Sequence, residues 1–369
     1  MKFKNTIAKI SLENLKHNYR LVKESAGEKN VLCVVKANAY GHGSWQCAKA
    51  LKEEGVNFFA VANIDEAITL RENNIDDKIL ILGFVAYERL EDLLEYNIIS
   101  AAYSLDYAKK LNEVAKNLGK RAKVHIKLNS GMNRLGFKCE GAAEKIKEIS
   151  KLSNIDMEGI FSHFAASDSD DLTQANSQVD NFNKVVKSCI DSGINFDYVH
   201  IQNSAGTITM QSEFVNMVRA GIVLYGVSPS NDTKKYFTKL KPVMTLVSHI
   251  ANIFNVEAGA KISYSATYEA KEPRKLATIC CGYADGYFRT LSNAGYILIN
   301  GQRANVVGIV CMDMFMVDIT DLKDVHISDE VELFGENLPI FELAQIAKTI
   351  GYEFLCSISQ RVERVYIAK

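Results

Sequence analysis

The sequence predicts an α/β protein: an N-terminal (β/α)8 barrel of the TIM type followed by a mainly β C-terminal domain. Eight short apolar runs recur through the first 226 residues, at 31–37, 58–63, 79–84, 99–104, 124–129, 158–164, 198–204 and 217–226. Between most of them, apolar residues fall three or four apart, which is helical spacing and the mark of βαβ units. All four prolines lie after residue 226, where plain apolar alternation replaces that spacing.

Each element has its own reason. In residues 106–118, Ala108, Leu111, Val114, Ala115 and Leu118 form one apolar stripe, and Gly119 stops the helix. In residues 172–190 the stripe is Leu172, Ala175, Val179, Phe182, Val186 and Ile190. Eight strands separated by such helices favour a closed barrel over an open sheet. Later, alternation covers residues 244–256, 275–281 and 296–319. Asn300 and Gly301 suit a tight hairpin turn. One short helix is expected at 341–350. The boundary falls near residues 228–240, giving a barrel domain of 1–232 and a second domain of 233–369, with the first ten residues or so packing on the latter.

The 369 residues suffice for two cores. Lys and Arg number 43 against 44 Asp and Glu, so no basic field argues for nucleic acid or an anionic membrane. The opening "MKFKNTIAKISLENL" has no apolar core, so no secretory signal is read. No apolar run reaches the roughly 18 residues a bilayer span needs. Eight cysteines without CxxC pairs imply reduced thiols and a cytoplasmic protein. Cys280 and Cys281 are adjacent, but neighbouring strand residues face opposite sides. No GxGxxG, GxxxxGK[ST] or HExxH spacing supports nucleotide or metal chemistry.

In a barrel, function gathers where strands end. There the sequence places Lys36, Asn129 through Arg134, His163, Asn203, Ser204, Arg219 and Gly221. Each alone has a plain explanation. Lys36 could sit in a salt bridge, and His163 could be a structural histidine. Asn203 and Ser204 could cap a helix. Arg219 could neutralise a buried carboxylate. Their joint placement points further. Ser204 and the N–H groups after it offer an anion seat, and Gly221 allows close backbone approach. Barrels often bind phosphate after strands 7 and 8. A phosphate there and a lysine after strand 1 suit a phosphorylated carbonyl compound held as a Schiff base. Pyridoxal 5'-phosphate combines those needs.

The stretch "VVKANAYGHG" resembles the cofactor-lysine signature of the alanine racemase family, barrel-type pyridoxal-phosphate isomerases (EC 5.1.1.1) that work as head-to-tail homodimers. "KLNSGMNRLG", "SHFAASD", "HIQNSAG", "VRAGIVLYG", "ISYSATY", "GYADGY", "CMDMFMVD" and "ISQRVERVY" follow in the family's order, so the likeness spans the chain. The resemblance implies that Lys36 carries the cofactor. Tyr40, Asn203, Ser204, Gly221 and Ile222 would hold its phosphate, the last two through backbone. Arg219 would face the ring nitrogen, supported by His200, and Arg134 would bond the phenolic oxygen on the substrate side. Lys127 would be the position carbamylated in many members, steadying Arg134. Tyr264 of a second subunit would be the other catalytic base, with His163 beside it. Met312, also across the dimer, would offer its N–H to the substrate carboxylate. D-alanine for peptidoglycan would be the product.

Racemisation removes a proton from one face of Cα and returns one to the other, so two opposed bases are needed, here Lys36 and Tyr264. A free phenol titrates near 10, so Tyr264 needs positive neighbours or hydrogen bonds. An arginine opposite the ring nitrogen disfavours its protonation and so discourages transamination. Two departures from the family pattern lie at the pocket mouth. Gln360 stands in "ISQRVER" where the family has Tyr, and Ile309 stands where Arg is common. A smaller polar residue at the mouth raises a serine or alanine/serine racemase as the alternative. A non-catalytic pyridoxal-phosphate protein of the same barrel lacks the second domain. A related decarboxylase is longer and carries a cysteine motif that is absent here.

Overall fold

The computed structural model describes residues 5–367, so residues 1–4 of the N-terminal segment lie outside the described residues. The eight expected runs form eight parallel strands: Asn30–Val34, Phe58–Val61, Lys78–Ile81, Ile99–Ala102, Ala122–Asn129, Ile155–Phe161, Tyr198–His200 and Met217–Ala220. They pair in chain order, and Met217–Ala220 returns to lie beside Asn30–Val34. The remaining gap is bridged by Asn216 N–H to Val199 O at 3.1 Å and Arg219 N–H to Gln202 O at 3.0 Å. The result is a near-barrel wrapped by helices. Its strands are buried on both faces, which is why they read as continuous apolar runs rather than alternating ones.

The helical stripes also appear, except that Leu118 and Ile190 at their ends are exposed. Leu105–Asn117 buries Tyr107, Ala108, Leu111 and Ala115, and Ser104 Oγ caps it by accepting from Tyr107 N–H at 3.1 Å. Thr173–Asp191 buries Ala175, Val179, Phe182 and Val186.

The second sheet is antiparallel in its main part and closes on itself. Met244–Val256 pairs with both Arg274–Ile279 and Glu330–Phe334. Phe315–Asp318, Gln302–Val307 and Tyr296–Ile299 complete the ring between those two. Closure removes exposed strand edges. The region 296–319 is three strands, the first two joined at the expected hairpin turn. Asn300 (φ 50°) and Gly301 (φ 74°) both adopt the left-handed region, the pair that a two-residue hairpin turn demands. Outside the ring, Ile7–Ser11 pairs antiparallel with Met244–Val256 and parallel with Glu363–Ile367.

One expectation fails. A single helix was predicted over 341–350; there are two, Ile340–Ile346 and Gly351–Ser357. Lys348 at φ 56° breaks the first. The second turns back toward the barrel, and Leu355 O packs where Gly41 has no Cβ. Among the described residues, no helix is long and apolar enough to cross a membrane.

Candidate active site

The first barrel strand stops at Val34, three residues before the apolar run ends. Lys36 follows, and then the chain does something rare. Ala37, Asn38, Ala39 and Tyr40 all have φ between 51° and 53°, a turn of left-handed helix. Each non-glycine residue there costs roughly 1–2 kcal/mol. Compensation is visible. Ala37 N–H donates to Glu66 Oε1 at 2.8 Å, Gly41 N–H to Ala37 O at 3.0 Å, and Ser44 N–H to Asn38 Oδ1 at 2.9 Å. Gly43 (φ 100°) ends the turn, and a Cβ there would sit 2.0 Å from the Tyr366 hydroxyl. The C-terminal segment therefore clamps this turn.

A cavity of about 310 Å³ opens at this end of the barrel. It is lined by Lys36, Tyr40, His163, Asn203, Ser204, Arg219, Gly221 and Ile222, all eight residues that the sequence grouped around one cofactor. A Cβ on Gly221 would lie 2.8 Å from the Tyr40 hydroxyl and 3.6 Å from Ser204 Oγ, so two hydroxyls converge on space that any side chain there would fill. That cradle fits a phosphate. Gly221 N–H donates to Ser204 Oγ at 3.0 Å, which leaves the serine proton free to point into the cavity. The expected helix-terminus anion seat is weaker than foreseen, because the helix after Ser204 is only Gly206–Thr209 and carries little dipole. Asn203 Oδ1 is occupied by Gly206 N–H at 2.9 Å and the Ser167 hydroxyl at 2.8 Å, the capping role.

Arg219 is buried, and among the described residues no carboxylate pairs with it, so its plain explanation falls. It donates to His200 Nδ1 at 2.9 Å, His163 Nδ1 at 3.0 Å, and the carbonyls of Ser162 (2.8 Å) and Ile201 (3.1 Å). Burial pulls it down to about 9, still a cation at neutral pH. Burial, then Arg219, pushes His163 well below the usual range, so it is a neutral acceptor. Burial and the charge of Arg134 also lower Lys36, against an upward pull from Glu66. Lys127 is buried, with Nζ 4.4 Å from the centre of the Phe161 ring. Burial, Arg219 and Arg134 lower it well below an ordinary lysine. Arg134 itself is exposed, on a loop that Asn129 Oδ1 shapes by accepting from Asn133 N–H at 2.9 Å.

Tyr264 and Met312 do not line this cavity. Both sit in the C-terminal domain, 70% and 53% exposed. Ser263 Oγ donates to Ile309 O at 2.7 Å, so the Tyr264 turn and the Met312 loop form one surface.

Sequence reasoning missed Tyr352, Cys356 and Asp168, which also line the cavity. Tyr352 lies 6.1 Å from Tyr40, centroid to centroid. It was missed because the helix carrying it was missed. The reading of Gln360 is corrected by the same fact: Gln360 is exposed on a turn and does not line the cavity, and the aromatic at the cavity wall is Tyr352. Among the described residues, no three His, Cys, Asp or Glu side chains converge as metal ligands.

Comparison with known proteins finds two family models. Residues 10–229 match "Alanine racemase, N-terminal domain" and residues 243–366 match "Alanine racemase, C-terminal domain". An alanine racemase of Carboxydothermus hydrogenoformans is 42% identical over 364 residues, 98% of this chain and 99% of that one. The alanine racemase structure from Clostridium difficile 630 superposes with a TM-score of 0.96 at 41% identity, covering 100% of this chain and 97% of that one. That from Bartonella henselae, described with covalently bound pyridoxal phosphate, gives 0.91 at 30% identity over 99% of this chain and all (100%) of its own.

Proposed function

The chain belongs to the alanine racemase family, and from that premise we propose that it interconverts L- and D-alanine with pyridoxal 5'-phosphate carried on Lys36. The observation that supports this most is the convergence of Lys36, Tyr40, Ser204 and Arg219 on one cavity. Tyr40 and Ser204 would hold the phosphate by their hydroxyls, with Asn203 shaping the loop and the backbone of Gly221 and Ile222 lining the cradle. Arg219 would face the ring nitrogen. Held as a cation, it would donate a hydrogen bond to that nitrogen and disfavour its protonation. Bound there, the cofactor draws electrons from the substrate and makes its Cα–H acidic.

Lys36 would move a proton on one face of Cα and Tyr264 of a second subunit on the other. The exposure of Tyr264 and Met312, with their shared surface, favours a homodimer in which each subunit completes the other's site. His163, a neutral acceptor from Arg219 at Nδ1, would carry its proton on Nε2 and stabilise a deprotonated Tyr264. Lys127, pushed toward the neutral amine, is set up to add CO2 and release a proton. The resulting carbamate anion would pair with Arg134, which would steady the substrate side, and Met312 N–H would take the carboxylate. Eight free thiols fit a cytoplasmic setting, and D-alanine would supply peptidoglycan. With Tyr352 at the cavity wall, no observation favours serine.

The test combines spectrum, chemistry and turnover. Purified protein should absorb near roughly 420 nm, borohydride should fix the cofactor on Lys36 by peptide mass, and D-alanine should lose optical activity. A cofactor fixed on another lysine, or no loss of rotation, refutes the proposal.

A further inference from the structure

The bond between Arg219 and His200 continues one step deeper. His200 Nε2 lies 2.8 Å from His125 Nδ1, and both imidazoles are fully buried. A guanidinium has donors and no acceptor, so His200 Nδ1 must accept from Arg219. The His200 proton therefore sits on Nε2 and is donated to His125 Nδ1. That nitrogen must be bare, which puts the His125 proton on its Nε2. One residue that is a cation at neutral pH thus dictates every proton position along the line. Burial agrees, holding both rings neutral and taking His125 down to about 3.

We infer that His125 is a positioning residue for racemisation: it holds His200 in the Nε2–H tautomer, and through it the guanidinium of Arg219. This rests on the reading of Arg219 given above. In the other tautomer, His200 would aim an N–H at the N–H groups of Arg219 and lose that bond in a buried site. His125 supplies the one acceptor that makes the productive tautomer the favoured one.

The surroundings build a seat for this ring. His125 stacks on Tyr198 at 5.7 Å and 20°, and takes the edges of Phe58 at 5.8 Å and Phe161 at 6.5 Å. A Cβ on Gly159 would come within 2.7 Å of the imidazole, so that position has to be bare. His125 Nε2 has no hydrogen-bond partner among the described residues. A phenyl ring would fill the same aromatic box without burying that unpaired nitrogen. What it would lack is the acceptor at Nδ1.

The experiment uses the holoenzyme with 15N-labelled histidine. In the wild type, His200 and His125 should be neutral and protonated on Nε2 from pH 6 to 8. A His200 proton on Nδ1, or a cationic His200, overturns the inference, and this measurement decides it even if the variants do not fold. His125→Phe keeps the shape and removes the acceptor, whereas His125→Asn returns an oxygen near the Nδ1 position. His125→Phe should lower kcat about tenfold or more with KM for alanine little changed, and should raise the pyruvate formed per racemisation event. His125→Asn should recover much of both. If His125→Phe leaves the pyruvate ratio unchanged while Arg219→Glu changes it, His125 has no such role. If Arg219→Glu also leaves it unchanged, the reading of Arg219 itself fails.

Discussion

Glu66 holds Ala37 in place: its Oε1 accepts the Ala37 N–H at 2.8 Å, while its Oε2 accepts the Ala62 N–H, also at 2.8 Å. One carboxylate thus ties the end of the second barrel strand to the first residue of the left-handed turn. It also stands beside Lys36 as the anion that opposes burial. Glu66→Ala frees two backbone donors and relaxes a turn that costs energy to hold. Pyridoxal-phosphate affinity should fall by about tenfold and stability by about 2 kcal/mol. Glu66→Gln, keeping one acceptor, should fall between. Cofactor titration and thermal melts check this, and wild-type affinity in Glu66→Ala would refute it.

Tyr264 is 70% exposed and does not line the cavity of its own chain, so the proposed second base would have to come from a second subunit. Lys36→Ala and Tyr264→Phe proteins should each be inactive. Mixed, unfolded and refolded together, they should regain about a quarter of wild-type activity, because half the dimers are hybrids with one intact site of two. Tyr264→Phe alone should exchange the Cα hydrogen of only one alanine enantiomer with solvent. Exchange of both at similar rates would remove Tyr264 as a base.

Selectivity should follow Tyr352 and not Gln360. Tyr352 stands against Tyr40 at the cavity wall, whereas Gln360 is exposed. Wild type should prefer alanine over serine by about a hundredfold or more in kcat/KM. Tyr352→Asn, by opening space and adding a polar group, should narrow that preference by about tenfold. Gln360→Tyr should leave it within a factor of about two. A larger effect at Gln360 than at Tyr352 would reverse the assignment.

Stability should fall below neutral pH. Burial lowers four histidines, with His42 at about 4, His125 at about 3, and His163 and His200 well below their ordinary value. Their folded values lie under the unfolded 6.5, so the unfolded chain takes up protons first as pH drops. Their contribution is whole above about 6.5 and is lost on the way down toward about 3, at about 1.4 kcal/mol per pH unit for each histidine. The melting temperature should drop by several degrees between pH 7 and pH 5. A flat profile would mean that the four rings are not buried neutral.

Much of this was readable before any coordinates. The eight strands were legible because barrel strands are buried on both faces and stand out as short apolar runs. Lys36, His163, Asn203, Ser204, Arg219 and Gly221 were legible because strand ends converge in a barrel, so sequence position became spatial position, whereas Tyr40 and Ile222 came from the family resemblance. The second helix of the C-terminal domain was not legible. It has seven residues, and what positions it is the contact of Leu355 with Gly41, more than 300 residues away in the chain. Tyr352 was lost with it, and Gln360 was given its place.

By itself, then, the sequence determined the barrel, the second domain and which lysine, serine and arginine meet, with Tyr40 beside them, since periodicity and motif order are local properties of the chain. The tertiary structure decided what those residues can do. A left-handed turn follows Lys36, a carboxylate from the helix after the second strand holds that turn, and a buried arginine sets the protons of the histidines around it. Such features depend on hydrogen bonds between segments far apart in sequence, whose direction and burial no local pattern encodes.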